Sequence, residues 1–339
     1  MKLLKFGGSP SASRPRLVAT RKHAILLTAA VAVAVLVADS VIVVLHGGRV
    51  ADRSSAARIS RHPHAASSTP SAGAVSSRPA VSQPPTGSPS PVVHRDPLGQ
   101  AARAYVATRA GTVLAAVYDM RTGQAWTLGR GAPQDEASIV KVDILETLLA
   151  QRHASGTSLS ASDVTLAQEM IEDSDNDAAT ALWDEVGGAR GISVYNNSVG
   201  LTHTTPSGCV TCTGFPWPGW GLSTTTPSDQ IALLRELLQR NDLLSRAQQA
   251  FMLGLMERVT PSQRWGVAGG APLLTTVALK NGWLPLTSAD DNWQINSIGW
   301  ISGAGRDYLI AVLTTGDPTE QYGIDTIDQL SAIVWRQML

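Results

Sequence analysis

The chain has 339 residues, and its 27 basic and 27 acidic side chains give a formal net charge of zero. That balance offers no electrostatic footprint for a nucleic acid, so no nucleic-acid partner is expected. The two cysteines are too few for a disulfide framework, and they lack the second pair or the histidines that a zinc site requires, so no metal is expected either.

Residues 1–23, with Lys2, Lys5, Arg14, Arg16, Arg21 and Lys22, read as a short cytoplasmic segment. The apolar run at 24–46 follows, and AILLTAAVAVAVLVADSVIVVL is interrupted only by Thr28, Asp39 and Ser40. About 20 such residues suffice to cross a bilayer, so a single-pass transmembrane signal anchor is expected, with the rest of the chain outside the cytoplasm. Cleavage after Ala38 would release a secreted protein instead, but Leu36 is large for the outer position of such a site. Residues 47–95 are rich in Ser, Pro and Ala and cannot bury enough apolar surface to offset chain entropy, which predicts a disordered linker. His62 and His64 within it are expected to be solvated spacers. Residues 96–339 are long enough for one catalytic domain.

That domain opens with a helical run, LGQAARAYVATRA, and then a hairpin formed by TVLAAVYDM and QAWTLGR around Arg121-Thr122-Gly123. A helix is predicted from Ser138 to about Gln151, followed by helical patterns at DVTLAQEMIED, NDAATALWDEV, ARGISVYNNSV, PSDQIALLRELLQR and SRAQQAFMLGLMERV. Strands return with LLTTVALK, NWQINSIGWISG and RDYLIAVLTTG, and the chain closes on the helix TIDQLSAIVWRQM. Strands at both ends with helices between them predict an α/β fold of the α+β type: an antiparallel sheet flanked by helices, with a helical subdomain. Cys209 and Cys212 are candidates for a short local disulfide in an exported loop.

Three short motifs carry candidate chemistry. In Ser138-Ile139-Val140-Lys141 a hydroxyl and an amine lie one helical turn apart, where the amine could take the serine proton if burial lowered its pKa. Alone, this is equally a capped helix with a solvated lysine. In Ser174-Asp175-Asn176 the serine could relay a proton and the asparagine could hold a substrate amide, although such a tripeptide is also an ordinary helix cap. In Lys280-Asn281-Gly282 a lysine on a strand could bind a carboxylate beside a glycine that admits substrate to the backbone, although Asn-Gly is also a strong hairpin signal.

Taken in order, Ser-x-x-Lys at a helix start, Ser-Asp-Asn between helices and Lys-x-Gly on a late strand resemble the β-lactamase/penicillin-binding serine hydrolases, and class A β-lactamases most of all. The resemblance runs from about Asp96 to Leu339 and includes Ser223-Thr224-Thr225-Thr226-Pro227 and Gln263-Arg264-Trp265-Gly266. It implies a β-lactamase/D,D-peptidase-like fold, with Ser138 as nucleophile and Lys141 and Ser174 moving protons. Asn176, Lys280, Asn281 and Gly282 would bind substrate, and the backbone N–H groups of Ser138 and Trp283 would form the oxyanion hole. The implied substrate is a β-lactam or a peptidoglycan peptide, and a monomer without a cofactor is expected. The class A deacylating glutamate has no counterpart, since no Asp or Glu lies between Arg190 and Asp229, and His203 is the conventional base in that stretch. Asn281 stands where the family usually has Thr or Ser, and the Lys141 to Ser174 interval is short, which predicts a cleft open along one rim. A serine hydrolase with slow β-lactam turnover is therefore the leading expectation. A D,D-peptidase-like penicillin-binding protein and a non-catalytic sensor are the alternatives.

Overall fold

The computed structural model describes residues 95–212, 219–286 and 292–338. The expected N-terminal segment, the anchor and all but the last residue of the linker lie outside these residues. The chain divides into two units, residues 1–83 and 84–339, and every described residue belongs to the second. Among the described residues no helix is long and apolar enough to cross a membrane.

Helix α1 (Gln100–Val106) leads into β1 (Thr112–Asp119) and β2 (Ala125–Leu128), joined by the turn around Gly123. The short β3 (Gln134–Asp135) and a 3-10 turn at Ala137–Ile139 introduce α2 (Val140–Ala154), so the expected helix at Ser138 is a 3-10 turn that continues as an α-helix. Then come α3 (Ala161–Glu172), α4 (Asn176–Glu185), α5 (Gly188–Val199), β4 (Thr224–Thr225), α6 (Pro227–Glu236) and α7 (Arg246–Glu257). Strands β5 (Thr276–Pro285), β6 (Trp293–Gly303) and β7 (Arg306–Asp317) precede α8 (Glu320–Gln337).

The five long strands form one antiparallel sheet in the order β2-β1-β7-β6-β5, so β1 pairs with β7 across nearly the whole domain sequence. Side chains alternate between its faces. On β7, Leu309, Ala311 and Leu313 join the core beneath α2 to α7, whereas Tyr308, Ile310 and Val312 join the core shared with α1 and α8. Burial on both faces explains why β1 and β7 read as nearly continuous apolar runs. Helix α2 is buried at every position from Val140 to Leu149, the pattern of a helix surrounded by protein.

Asn281 and Gly282 lie inside β5, paired with Ser297 and Asn296 of β6, so the hairpin reading of Asn-Gly fails here. The apolar, β-branched sequence on either side and ten residues of pairing with β6 override the local turn preference.

Candidate active site

Three elements meet at the β5 edge of the sheet. The 3-10 turn holding Ser138 packs against β5, and α4 brings Ser174 and Asn176 to the start of α2. Ala137, immediately before Ser138, has φ +49°, and Ser174 has φ +59°. Left-handed backbone costs roughly 1–2 kcal/mol for a residue with a Cβ, so the surrounding bonds must hold it. The Glu136 N–H donates to Ser223 O at 2.7 Å, and Asn296 Nδ2 donates to Glu136 O at 2.9 Å. Gly282 supplies the remaining requirement, because a Cβ at this position would come within 2.8 Å of both Glu136 O and Ser138 N. Its absent side chain therefore admits the turn that carries Ser138.

Lys141 is fully buried and donates to Ser174 O at 2.7 Å, Ser174 Oγ at 3.1 Å and Asn176 Oδ1 at 2.7 Å. Burial lowers its pKa from 10.5 to about 7, and the nearby Asp175 carboxylate opposes that shift. Asp175 also caps α4, its side chain accepting from Ala178 N–H at 2.7 Å. Capping by the middle residue leaves its two neighbours free to face Lys141. Among the described residues no hydrogen bond joins the Ser138 hydroxyl to Lys141, an arrangement compatible with a base whose alignment tightens on substrate binding.

Lys280 is also fully buried, donating to Ser174 Oγ at 2.9 Å and to Asn281 O at 2.9 Å. Burial, and then the charge of Lys141, push its pKa well down. The Ser174 hydroxyl thus lies between two amines whose pKa values are both lowered. Beyond Lys22 these are the chain's only lysines, every other such cation being arginine. Arginine stays protonated in proteins, so it could not replace either where a neutral amine is wanted.

Asn281 does not join this group. Its Nδ2 donates to Gln263 O at 2.7 Å and Trp265 O at 3.0 Å, and its Oδ1 accepts from Ser297 Oγ at 2.6 Å. Strand alternation turns it to the opposite face from Lys280, where its bonds lock the Gln263–Gly266 tract onto the sheet. The substrate-binding expectation for Asn281 is corrected accordingly.

A cavity of about 250 Å³ opens over the site, with Ser138, Ser174 and Asn176 on its polar side. Trp220, Trp283 and Trp293 also line it. Trp220 is buried, its Nε1–H donates to Thr180 Oγ1 at 3.2 Å, and its ring centroid lies 5.0 Å from Lys141 Nζ. Trp283 is braced edge-on by Trp265, with ring centroids 5.9 Å apart. Neither Trp220 nor Trp293 belongs to the three motifs. In sequence Trp283 and Trp293 follow the Lys280 motif closely, whereas Trp220 stands far from all three motifs.

Beneath the site lies a set of buried acids that sequence reading also missed. Glu136, Asp143 and Glu146 are each at most 1% exposed. Burial, then repulsion from Asp143 and Asp229, holds the Glu136 carboxyl well above its usual range, and burial pushes Asp143 up to about 7. Glu146 is raised by burial despite accepting from Tyr195 O–H at 2.7 Å. For Asp143 and Glu146 the available signal was an acidic residue inside the otherwise apolar VDILETLL. None of the three lines the cavity, and neither does His203, whose backbone N–H donates to Asp229 Oδ2 at 2.7 Å while its side chain stays 66% exposed. Cys209 and Cys212 are joined as a disulfide.

A model of the beta-lactamase enzyme family matches residues 149–338, more than half of the chain and beginning after Ser138 and Lys141. The chain belongs to the beta-lactamase enzyme family. Two solved beta-lactamases share the fold of this family member. One is a representative of class A beta-lactamase from Bacteroides cellulosilyticus DSM 14838, with TM-score 0.61 and 17% identity over 72% of this chain and 98% of that one. The other, from Chitinophaga pinensis DSM 2588, has TM-score 0.62 and 19% identity over 70% and 97%. Among curated proteins, the "Putative lipoprotein LppW" of Mycobacterium tuberculosis (strain ATCC 25618 / H37Rv) is 28% identical over 213 residues. The alignment covers 61% of this beta-lactamase family chain and 64% of that relative's length.

Proposed function

We propose that this chain is an extracytoplasmic serine hydrolase that forms an acyl-enzyme on Ser138 with β-lactams or cell-wall peptides and releases the acyl group slowly. The observation that carries the reading is the Ser174 hydroxyl, 3.1 Å from Lys141 Nζ and 2.9 Å from Lys280 Nζ, beside a nucleophile at the cavity floor. With its pKa near 7, Lys141 is partly neutral at physiological pH and can take a proton.

In this reading, neutral Lys141 accepts the Ser138 proton as Oγ attacks the carbonyl carbon. The backbone N–H groups of Ser138 and Trp283 stabilise the oxyanion, such donors being worth about 2.7–4 kcal/mol each. The tetrahedral intermediate collapses by breaking the bond to the leaving nitrogen, which receives the proton through Ser174. Asn176 orients the substrate amide, and Lys280 holds Ser174 in place. Water then attacks the ester, releasing the acid and restoring the serine hydroxyl. Slow release follows from the stretch between Arg190 and Asp229, which contains no carboxylate to activate that water. Extracytoplasmic placement rests on the apolar run at 24–46 and on the relative's name as a lipoprotein. No cysteine precedes Cys209, so the apolar run rather than a lipid is the anchor proposed here.

The test is intact-mass analysis of the full chain incubated with benzylpenicillin, beside Ser138→Ala. The expected result is an adduct that needs Ser138 and persists after excess drug is removed. A folded protein that neither forms an adduct nor consumes the drug would sink the reading, whereas rapid drug consumption would retain acylation and remove the slow step.

A further inference from the structure

A single leucine at a protein surface needs no explanation, but adjacent ones standing clear of the fold mark a contact surface. Leu273 and Leu274, in the loop before β5, are both fully exposed. Among the described residues the next large apolar side chains in exposure are Val210 at 79% and Val194 at 67%.

The neighbours of this loop fix its place in the domain. Thr275 backs onto the β6–β7 hairpin, where a Cβ at Gly303 would lie 3.3 Å from Thr275 Cα. Gly270 packs against the last turns of α8, where a Cβ would lie 2.7 Å from Ala332 Cα. Arg306, on the hairpin, donates from Nε to Trp335 O at 2.8 Å. Gln337, further along α8, lines a cavity of about 270 Å³ together with Arg95, Asp96 and Pro97, where the chain enters the domain. The exposed leucines and the point of entry therefore gather round the same end of α8. By sequence, residues 47–95 join that end to the apolar run at 24–46.

Charge at this end suits an anionic surface. Arg306 and Arg336 stand beside Trp335, and Arg121 donates to Gly305 O on the hairpin. The acids nearby are turned to protein groups: Asp119 binds Arg121, Asp307 accepts from Trp300 Nε1–H at 2.6 Å, and Asp96 pairs with Arg103.

We propose that Leu273 and Leu274 form a lipid-contact tip that docks the domain on the anionic outer face of the bilayer holding its own anchor. This rests on the anchor proposed above and adds a second membrane contact to it. With the anchor in the bilayer the docking is intramolecular, so two leucines flanked by arginines suffice where alone they would bind too weakly. Gly282, against which the Ser138 turn packs, lies on β5 roughly 20 Å from Thr276 at the ordinary strand rise, so the docked domain holds its cleft off the lipid.

The experiment uses the full chain in vesicles of phosphatidylglycerol and phosphatidylethanolamine. Cys209 and Cys212 are closed as a disulfide and the sequence has no other cysteine, so an introduced thiol is the single labelling site. Ala304→Cys carries a fluorophore on the hairpin beside the tip and leaves both leucines intact, and Val194→Cys carries it on α5 as reference. Quenching is read from nitroxide-bearing acyl chains and from iodide in the water. The Ala304 label is expected to be quenched by the nitroxide lipid and to be at least about threefold less accessible to iodide than the Val194 label. Leu273→Asp combined with Leu274→Asp should abolish both differences. Equal quenching at the two positions, in chain that floats with the vesicles, would leave the anchor standing and overturn the tip, as would quenching that survives the double substitution. Shielding from iodide without nitroxide quenching would put protein over the leucines, either a second copy or the chain's own N-terminal segment, and would defeat the lipid contact. Chain that fails to float removes the anchor, and this inference falls with it.

Discussion

Lys141 sets the pH dependence at the residue scale. With a pKa of about 7, it gains basic character as pH rises through neutrality, so acylation of Ser138 by a neutral probe should climb through about pH 7 and level off above it. Rates of adduct formation across that interval would show the limb. Asp175→Asn keeps an N-cap but removes the carboxylate that raises the Lys141 pKa, so the limb should move to lower pH with little loss of stability. Lys141→Arg should slow acylation by about 10²-fold or more, because a guanidinium stays charged and cannot accept the proton. Asn281→Ala separates structure from binding. It removes the donors to Gln263 O and Trp265 O and the acceptor of the Ser297 hydroxyl, so urea unfolding should report a loss of roughly 2–3 kcal/mol, while the folded fraction acylates at nearly the original rate. These assignments were unevenly legible. Ser138, Lys141, Ser174, Asn176 and Lys280 stand in motifs whose order suggested a shared site, but the direction of the Asn281 side chain depends on the strand that pairs with it.

Elements position the nucleophile through one close contact, where β5 meets the 3-10 turn at Gly282. Gly282→Ala would drive a methyl group to 2.8 Å from Ser138 N and Glu136 O, against backbone that cannot rotate aside. The expected cost is about 1–3 kcal/mol in urea unfolding, together with loss of Ser138 labelling in the protein that still folds. The start of α4 shows why the cap and site readings of Ser-Asp-Asn are compatible. Asp175 satisfies the helix N-terminus, and the left-handed turn at Ser174 aims the flanking residues at Lys141. The helix start was readable from its residue types, whereas the positive φ that places the hydroxyl was not.

Across the whole molecule, buried acids and buried lysines pull stability in opposite directions with pH. Burial raises Asp143 to about 7 and Asp317 to about 6, and Glu136 and Glu146 are raised as well. The folded protein therefore keeps protons that the unfolded chain releases, so their contribution to stability falls as pH rises from about 4 to about 7. Lys141 and Lys280 are lowered, so above neutrality the unfolded chain holds protons that the folded protein has lost, and stability rises toward about pH 10. Urea unfolding midpoints should pass through a minimum near pH 7, and Asp143→Asn should flatten the acid side. By itself the sequence determined the order of helices and strands, the antiparallel sheet closed by distant segments, and the residues eligible for a serine–lysine site. Those follow from periodicity, capping and residue chemistry, which act over a few positions. Only the tertiary structure decided that Asn281 braces the fold, that Gly282 admits the nucleophile's turn, that two lysines share one hydroxyl, and that three tryptophans line the cavity beside it. Those depend on which surfaces meet after the sheet closes, and on the desolvation that follows.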